Sequence, residues 1–305
     1  MATTAFSAGG YPPQLSQTSL CPMCGGAQLT FVAYRAHRGR DYRLAQCGTC
    51  GQHFCWPAPS ETDIAGFYDG DYHAELRAPG AAERIFGHKF RRYCDWVREF
   101  LPSGRSLDIG TATGLFPAIL KRSGFDAEGL EFNEASADWG SRHYDVRITP
   151  AGLSESVALK GSYDLISMTD VLEHTAHPLA FLQMVREYLK PGGFMLITFP
   201  DIGSPESRWL RLLARIFRRE WIWSTCHIPE HVWEFTPGTA RAMFSRAGFD
   251  IAGFRRSQEQ IHFLPGKLSP LGWPLALLRI PLFGRLAGTQ MEFMIRRRDS
   301  PSTAG

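Results

Sequence analysis

Two residue patterns in this 305-residue chain are suited to chemistry. The first is a set of thiols. Cys21-Pro-Met-Cys24-Gly25 and Cys47-Gly-Thr-Cys50-Gly51 are separated by 22 residues. Two C-x-x-C turns put four thiolates at the corners of a tetrahedron, which Zn²⁺ accepts without geometric penalty; such a closed site is structural. The glycine after each pair allows a tight turn under the metal. His53 and Cys55 are close enough to be alternative ligands, while Cys94 and Cys226 read as small packed apolar residues. The second pattern is Leu107-Asp108-Ile109-Gly110-Thr111-Ala112-Thr113-Gly114, a glycine-rich turn whose backbone N–H groups can approach a ligand. Its spacing is D-x-G-x-A-x-G rather than G-x-G-x-x-G, so a nicotinamide dinucleotide fits poorly. An ammonium would suit Asp108. Glu131, 23 residues further on, can accept both hydroxyls of a ribose.

Alternating elements must position these residues. From Ser106 short apolar strands alternate with helices: strands at 106–110, 128–132, 145–149, 163–169 and 194–199, helices at 115–123, 135–143 and 178–189. Lys190-Pro191-Gly192-Gly193 stops the last helix. Two further strands are expected at 250–255 and 291–297. Regular β-α-β alternation predicts a mostly parallel sheet covered on both faces. Upstream, residues 1–19 read as a disordered leader. Residues 20–56 form a Cys-rich unit with strands at 30–34 and 42–45. Residues 57–104 open on a Pro-rich joint and continue with Ile85, Phe86, Phe90, Tyr93, Trp96, Val97 and Phe100 at helical spacing.

The cysteine unit resembles a zinc ribbon. Residues 104–256 resemble a class I S-adenosylmethionine-dependent methyltransferase of the type 11/23 kind, on the LDIGTATG loop, Glu131, YDLISMTDVLEH at 163–174 and LKPGGFMLITFP at 189–200. The resemblance implies an α/β fold with a Rossmann-like seven-stranded sheet spanning 105–305, a helical linker and cofactor lid at 57–104, and a substrate-side insertion at 203–238. It implies that Asp108, Gly110, Thr111 and Gly114 line the methionine end of S-adenosyl-L-methionine. Glu131 would hold the ribose, Phe132 would flank the adenine, and Ala151, Gly152 and Met168 would complete the site. The similar Phe67-Tyr68-Asp69-Gly70-Asp71-Tyr72-His73 stretch would place Tyr72 at the cofactor mouth. Ala112 departs from the family, which usually has Gly there; its methyl threatens to crowd the cofactor.

At the end of the fourth strand, Asp170-Val-Leu-Glu173-His174 resembles the E-x-x-E-H stretch of ubiquinone-pathway O-methyltransferases, which bind Mg²⁺. Asp170, Glu173 and His174 could hold such a cation beside a substrate oxygen; capping of the following helix by Glu173 and His174 is the competing and preferred role. On the substrate side, Arg208, Arg211, Arg215 and Arg218 share one helical face opposite Trp209, Leu212, Leu213, Ile216 and Phe217. That face could receive a phosphate or an anionic membrane, or be solvated. His231, in a Glu-His-aromatic stretch similar to one in zinc-ribbon methyltransferases, could be a base or a packed histidine, and His174 is the other candidate catalytic residue.

Composition sets limits. Apolar residues make up 44% and charged residues 21%, as in a folded globular protein. The net charge of +3 is too small to imply nucleic-acid binding by itself. The apolar stretch 268–278, and the Pro-interrupted region 266–284 around it, are too short or too broken to span a bilayer; a buried cover or a shallow lipid contact is expected. The N-terminus has no basic start and no long apolar run, and paired rather than framework cysteines fit a reducing cytoplasm. The expected function is methyl transfer to an oxygen or carbon of a small molecule: a sugar, a glycan intermediate, a phenolic or a lipid-linked metabolite. The alternative is an RNA methyltransferase whose ribbon binds RNA through Arg35, Arg38, Arg40 and Arg43.

Overall fold

The computed structural model describes residues 20–67, 73–156, 158–205, 207–208, 227–257 and 288–299. The expected leader, Tyr72, Cys226, most of the basic helix and the 266–284 stretch lie outside the described residues; of the four helix arginines only Arg208 is described, and it is exposed.

The chain opens with β1 (Leu29–His37), β2 (Arg40–Cys47) and β3 (His53–Trp56). Helix α1 (Glu61–Ala65), a 3₁₀ turn at Ala74–Arg77 and α2 (Ala81–Arg98) follow. Then come β4 (Gly104–Ile109), α3 (Leu115–Arg122), β5 (Phe125–Leu130), α4 (Glu134–Tyr144), β6 (Arg147–Thr149) and β7 (Tyr163–Thr169). A 3₁₀ turn at Leu172–His174 leads to α5 (Pro178–Tyr188), β8 (Leu189–Pro200), β9 (Trp233–Glu234), α6 (Pro237–Arg246), β10 (Phe249–Ser257) and β11 (Gln290–Arg297).

The large sheet has seven strands in the order β10-β11-β8-β7-β4-β5-β6, and β11 runs against both of its neighbours. The apolar runs of β7 and β8 sit at its centre, where both faces are covered, and Leu165, Ile166, Leu196 and Ile197 are fully buried. Burying one such side chain contributes roughly 1.5–3 kcal/mol. Helix α5 starts with Pro178 at its first turn and ends where Leu189 turns extended. Helix α6 starts with a Thr236/Thr239 capping box.

Several strand ends differ from expectation, β8 most of all, which begins at Leu189 rather than 194; two differ for local reasons. Strand β6 starts at Arg147 because Asp145 adopts a left-handed conformation (φ 52°) that ends α4. Strand β5 ends at Leu130, which leaves Glu131 just past the ladder with its carboxylate free to turn back.

In the ribbon, each knuckle makes the same backbone turn. Gly25 donates to Cys21 O and Gly51 to Cys47 O, at 2.8 and 2.9 Å, with φ of 74° and 73°. The Sγ pairs Cys21–Cys50 and Cys24–Cys47 lie 3.7 and 3.6 Å apart. A Zn–S bond of about 2.3 Å gives a tetrahedral S–S edge of about 3.8 Å, so the donor set fits the metal. The ribbon sheet runs β1-β2-β3-β9, and its fourth strand comes from the chain beyond β8, far from the ribbon in sequence. Cys21, Ala45, Cys47 and Phe54 join one core with Phe199, Trp233 and Phe244.

Candidate active site

After β4 the chain turns through Gly110 into α3. A Cβ on Gly110, whose φ is 71°, would sit 2.5 Å from Val171 Cγ2, so the turn can pass under the segment after β7 only as glycine. Gly110 and Thr111 both donate to Leu130 O, at 2.9 and 3.0 Å, which fixes the loop to the end of β5. Ala112 holds a left-handed φ of 51°. Its N–H donates to Glu131 Oε2 at 2.7 Å, and Asn133 N–H donates to Oε1 at 2.9 Å. Burial raises the Glu131 pKa against those two donors. Asp108 accepts from Ser167 Oγ at 2.6 Å, and burial pushes its carboxyl up to about 7.

A carboxylate oxygen can accept more than one hydrogen bond. Asp108 and Glu131 thus form an acceptor-only pair at the mouth of the loop, matched to an ammonium and to a ribose diol. They line a cleft of about 1170 Å³ with Gly110, Thr111, Ala112 and Phe132. Phe132 is 76% exposed, an unusual position for a bare aromatic ring. Other expected contacts fall elsewhere. Gly114 caps α3, and a Cβ there would meet Ile148 at 2.4 Å. Met168 is fully buried in the core, because alternate residues of β7 face the helices. Ala151 and Gly152 form a turn after β6 that does not itself line the cleft; a Cβ on Gly152 would meet the Phe132 ring at 2.8 Å.

The far wall brings His174 and His231 together. Their rings meet edge to face with centroids 4.8 Å apart. His174 Nδ1 lies 2.9 Å from Glu230 O, and His231 Nδ1 lies 3.1 Å from Glu234 Oε1. Carbonyl and carboxylate oxygens only accept, so each neutral ring carries its hydrogen on Nδ1 and a lone pair on Nε2. Burial pushes His174 down to about 3 and His231 well below the ordinary histidine value, with neighbouring imidazoles adding to both shifts. Both are neutral at physiological pH.

The trio of Asp170, Glu173 and His174, the less favoured of the two sequence readings, is not what the described residues assemble. Asp170 accepts from Lys89 Nζ at 2.8 Å, from Thr198 Oγ1 at 3.3 Å and from Gln290 Nε2. His231 takes its place: the ligand atoms of Glu173, His174 and His231 lie within 4.8 Å of one another. Two imidazoles and one carboxylate suit a transition metal better than Mg²⁺, which prefers oxygen.

Three residues at this wall carried little sequence signal. Lys89 sits at i+3 from Phe86 in an otherwise apolar stripe of α2, and that interruption is its only mark. Glu234 follows His231 at i+3, a spacing that pairs them. His227 packs against His231 with the rings tilted by 53° and centroids 4.9 Å apart. The ribbon arginines meet partners within the chain. Arg35 donates to Ile228 O, Arg40 pairs with Asp63, Arg43 covers Phe31, and Arg38 lies over Phe67. Among the described residues, no helix is long and apolar enough to cross a membrane.

A methyltransferase-domain family model matches residues 85–252. The chain is 31% identical over 156 residues to a ubiquinone biosynthesis O-methyltransferase of Cereibacter sphaeroides, covering 48% of this chain and 60% of that protein. It is 24% identical over 191 residues to the protein of the same name from Bordetella avium, covering 57% and 77%. The match thus spans about 60% of the Cereibacter sphaeroides relative. Among solved structures, an S-adenosylmethionine-dependent methyltransferase of Thermotoga maritima superposes with a TM-score of 0.51 at 16% identity, covering 77% of this chain and 100% of that one. That likeness is one of fold.

Proposed function

Since the chain belongs to the methyltransferase-domain family, we propose that it uses S-adenosylmethionine to methylate a hydroxyl oxygen of a small molecule held between the α2 aromatics and the His174–His231 pair. One observation carries the proposal: a single cleft holds the Asp108–Glu131 acceptor pair at one end and two neutral imidazoles at the other. The name of the Cereibacter sphaeroides relative supports oxygen as the acceptor.

S-adenosylmethionine, when bound, supplies a methyl group on a sulfonium, already a good leaving group. The chain must align an acceptor and remove its proton. Asp108 and Glu131 orient the ammonium and ribose ends. Phe86, Phe90, Phe181 and Met184 give the cleft an apolar wall for the body of the acceptor. Nε2 of His231 takes the hydroxyl proton as the oxygen gains the methyl. Glu234, on Nδ1, favours the imidazolium that results, so a buried ring with a low resting pKa can still serve. His174 presents a second lone pair beside it. The four thiolates hold a structural Zn²⁺.

The test is incubation of the protein with methyl-labelled cofactor and a whole-cell extract, followed by identification of the labelled product. A methyl ether on a small molecule is the expected product. Label found only in RNA or protein would overturn the reading.

A further inference from the structure

We propose that the thiolate ribbon is a positioning element for the histidine pair, acting through Gln52 and Glu234; this rests on the reading of His231 as the proton acceptor. Strand β9 has two residues, too few to hold its own place. On one side it pairs with β3, His53 opposite Glu234 and Phe54 opposite Trp233, and Cys55 N–H donates to Val232 O at 2.8 Å. On the other side, Val232 N–H donates to Glu173 O at 2.8 Å and Trp233 Nε1–H donates to Thr175 O at 2.9 Å. The segment 231–234 is thus a bridge between the ribbon and the turn that carries His174.

Gln52 fixes that bridge to the knuckle. It directly follows Gly51, and its carbonyl accepts from Cys47 N–H at 2.9 Å. Its side chain is buried, and its amide donates to His53 O at 2.9 Å and to Glu234 O at 3.0 Å. A buried amide with its donors spent on two backbone carbonyls, one of them across the interface, acts as a clamp. The Glu234 side chain, equally buried, accepts from His231 Nδ1 at 3.1 Å and from His227 N–H at 3.4 Å. The path from Cys47 through Gln52 and Glu234 to His231 is continuous hydrogen bonding and backbone. The knuckle therefore sets where the Glu234 carboxylate lies, and the carboxylate sets the tautomer and aim of His231.

The test is Gln52→Met, which keeps the side-chain volume and removes both donors. In full-length protein the expected result is a turnover at least tenfold lower, S-adenosylhomocysteine affinity within twofold of wild type, and unchanged zinc content. The ¹⁵N imidazole signals of His231 should lose the pattern of a fixed Nδ1–H tautomer. Stripping zinc from wild-type protein with a chelator should shift the same signals, which keeps the proposal testable if the variant misfolds. Unshifted His231 signals in both samples would overturn the clamp. The base reading fails separately, if His231→Ala turns over normally.

Discussion

Glu131 reaches back from the end of β5 to accept the Ala112 N–H at 2.7 Å, so the carboxylate we propose to hold a ribose also holds the glycine loop after β4 in shape. Removing it takes away two things at once. Glu131→Ala should weaken S-adenosylmethionine and S-adenosylhomocysteine together, by about 1–3 kcal/mol, or roughly tenfold to a hundredfold. Isothermal calorimetry checks this; equal affinity in the variant would mean that the ribose end lies elsewhere.

Ala112 occupies a left-handed backbone position where a Cβ costs roughly 1–2 kcal/mol. Ala112→Gly relieves that strain but adds freedom to the unfolded chain, worth about 0.4–1 kcal/mol. The net effect should be a stabilisation of up to about 1.6 kcal/mol in urea unfolding, with cofactor affinity kept or improved. A clear loss of affinity would show that the methyl group makes a favourable contact.

Asp108 gives a pH signature. Its folded pKa, about 7, lies above the ordinary aspartate value. Between about pH 4 and pH 7 the folded protein therefore binds more protons at this site than the unfolded chain does. The site's contribution to stability is greatest in acid and declines as pH rises through that window, by at most about 1.4 kcal/mol per pH unit. The stability difference between wild type and Asp108→Asn should fall across this range and flatten above it. Cofactor affinity should run the other way, because a ligand ammonium favours the ionised carboxylate. Calorimetry of S-adenosylhomocysteine at pH 5.5 and 7.5 should show tighter binding at 7.5 in wild type and little change in the variant.

Alanine at His231 should lower turnover by about 10²–10⁴-fold, the usual range for a positioned base, with S-adenosylhomocysteine binding barely changed. His174→Ala should cost less if His174 only supports its neighbour. An equal loss at both positions, together with stimulation of the wild type alone by an added divalent transition metal, would assign the trio with Glu173 to metal binding instead.

The knuckles should hold one Zn²⁺ per chain. Elemental analysis of purified protein should give close to one equivalent; less than about half would count against the site. Cys24→Ser should abolish tight binding. Because the ribbon shares a core with Phe199 and Trp233, this variant should also lower the melting temperature of the whole protein.

The large sheet was legible because β7 and β8 are apolar runs between helices of clear period, and because YDLISMT coincides with the strand residue for residue. The glycine turn after β4 was legible because a glycine must stand where the backbone passes Val171. Met168 was misplaced for a geometric reason: a strand residue faces one side or the other, and the sequence does not say which side holds a ligand. Strand β9 left no periodic trace in two residues, and its partner β3 belongs to a unit that reads as self-contained. The exchange of Asp170 for His231 beside Glu173 was hidden because Lys89, Thr198 and Gln290, which occupy Asp170, come from three distant elements.

That shared strand has a consequence for the order of assembly. Gln52 and Glu234 stand 182 residues apart. At elongation rates of about 5–20 residues per second, roughly 10–40 s pass between their synthesis. A nascent ribbon can load metal early, but β3 remains an open edge during that interval, with unpaired N–H and C=O groups that another chain could join. Translation speed, rather than zinc uptake, then sets when the histidine strand is captured, and slowing it should increase aggregation of the nascent chain.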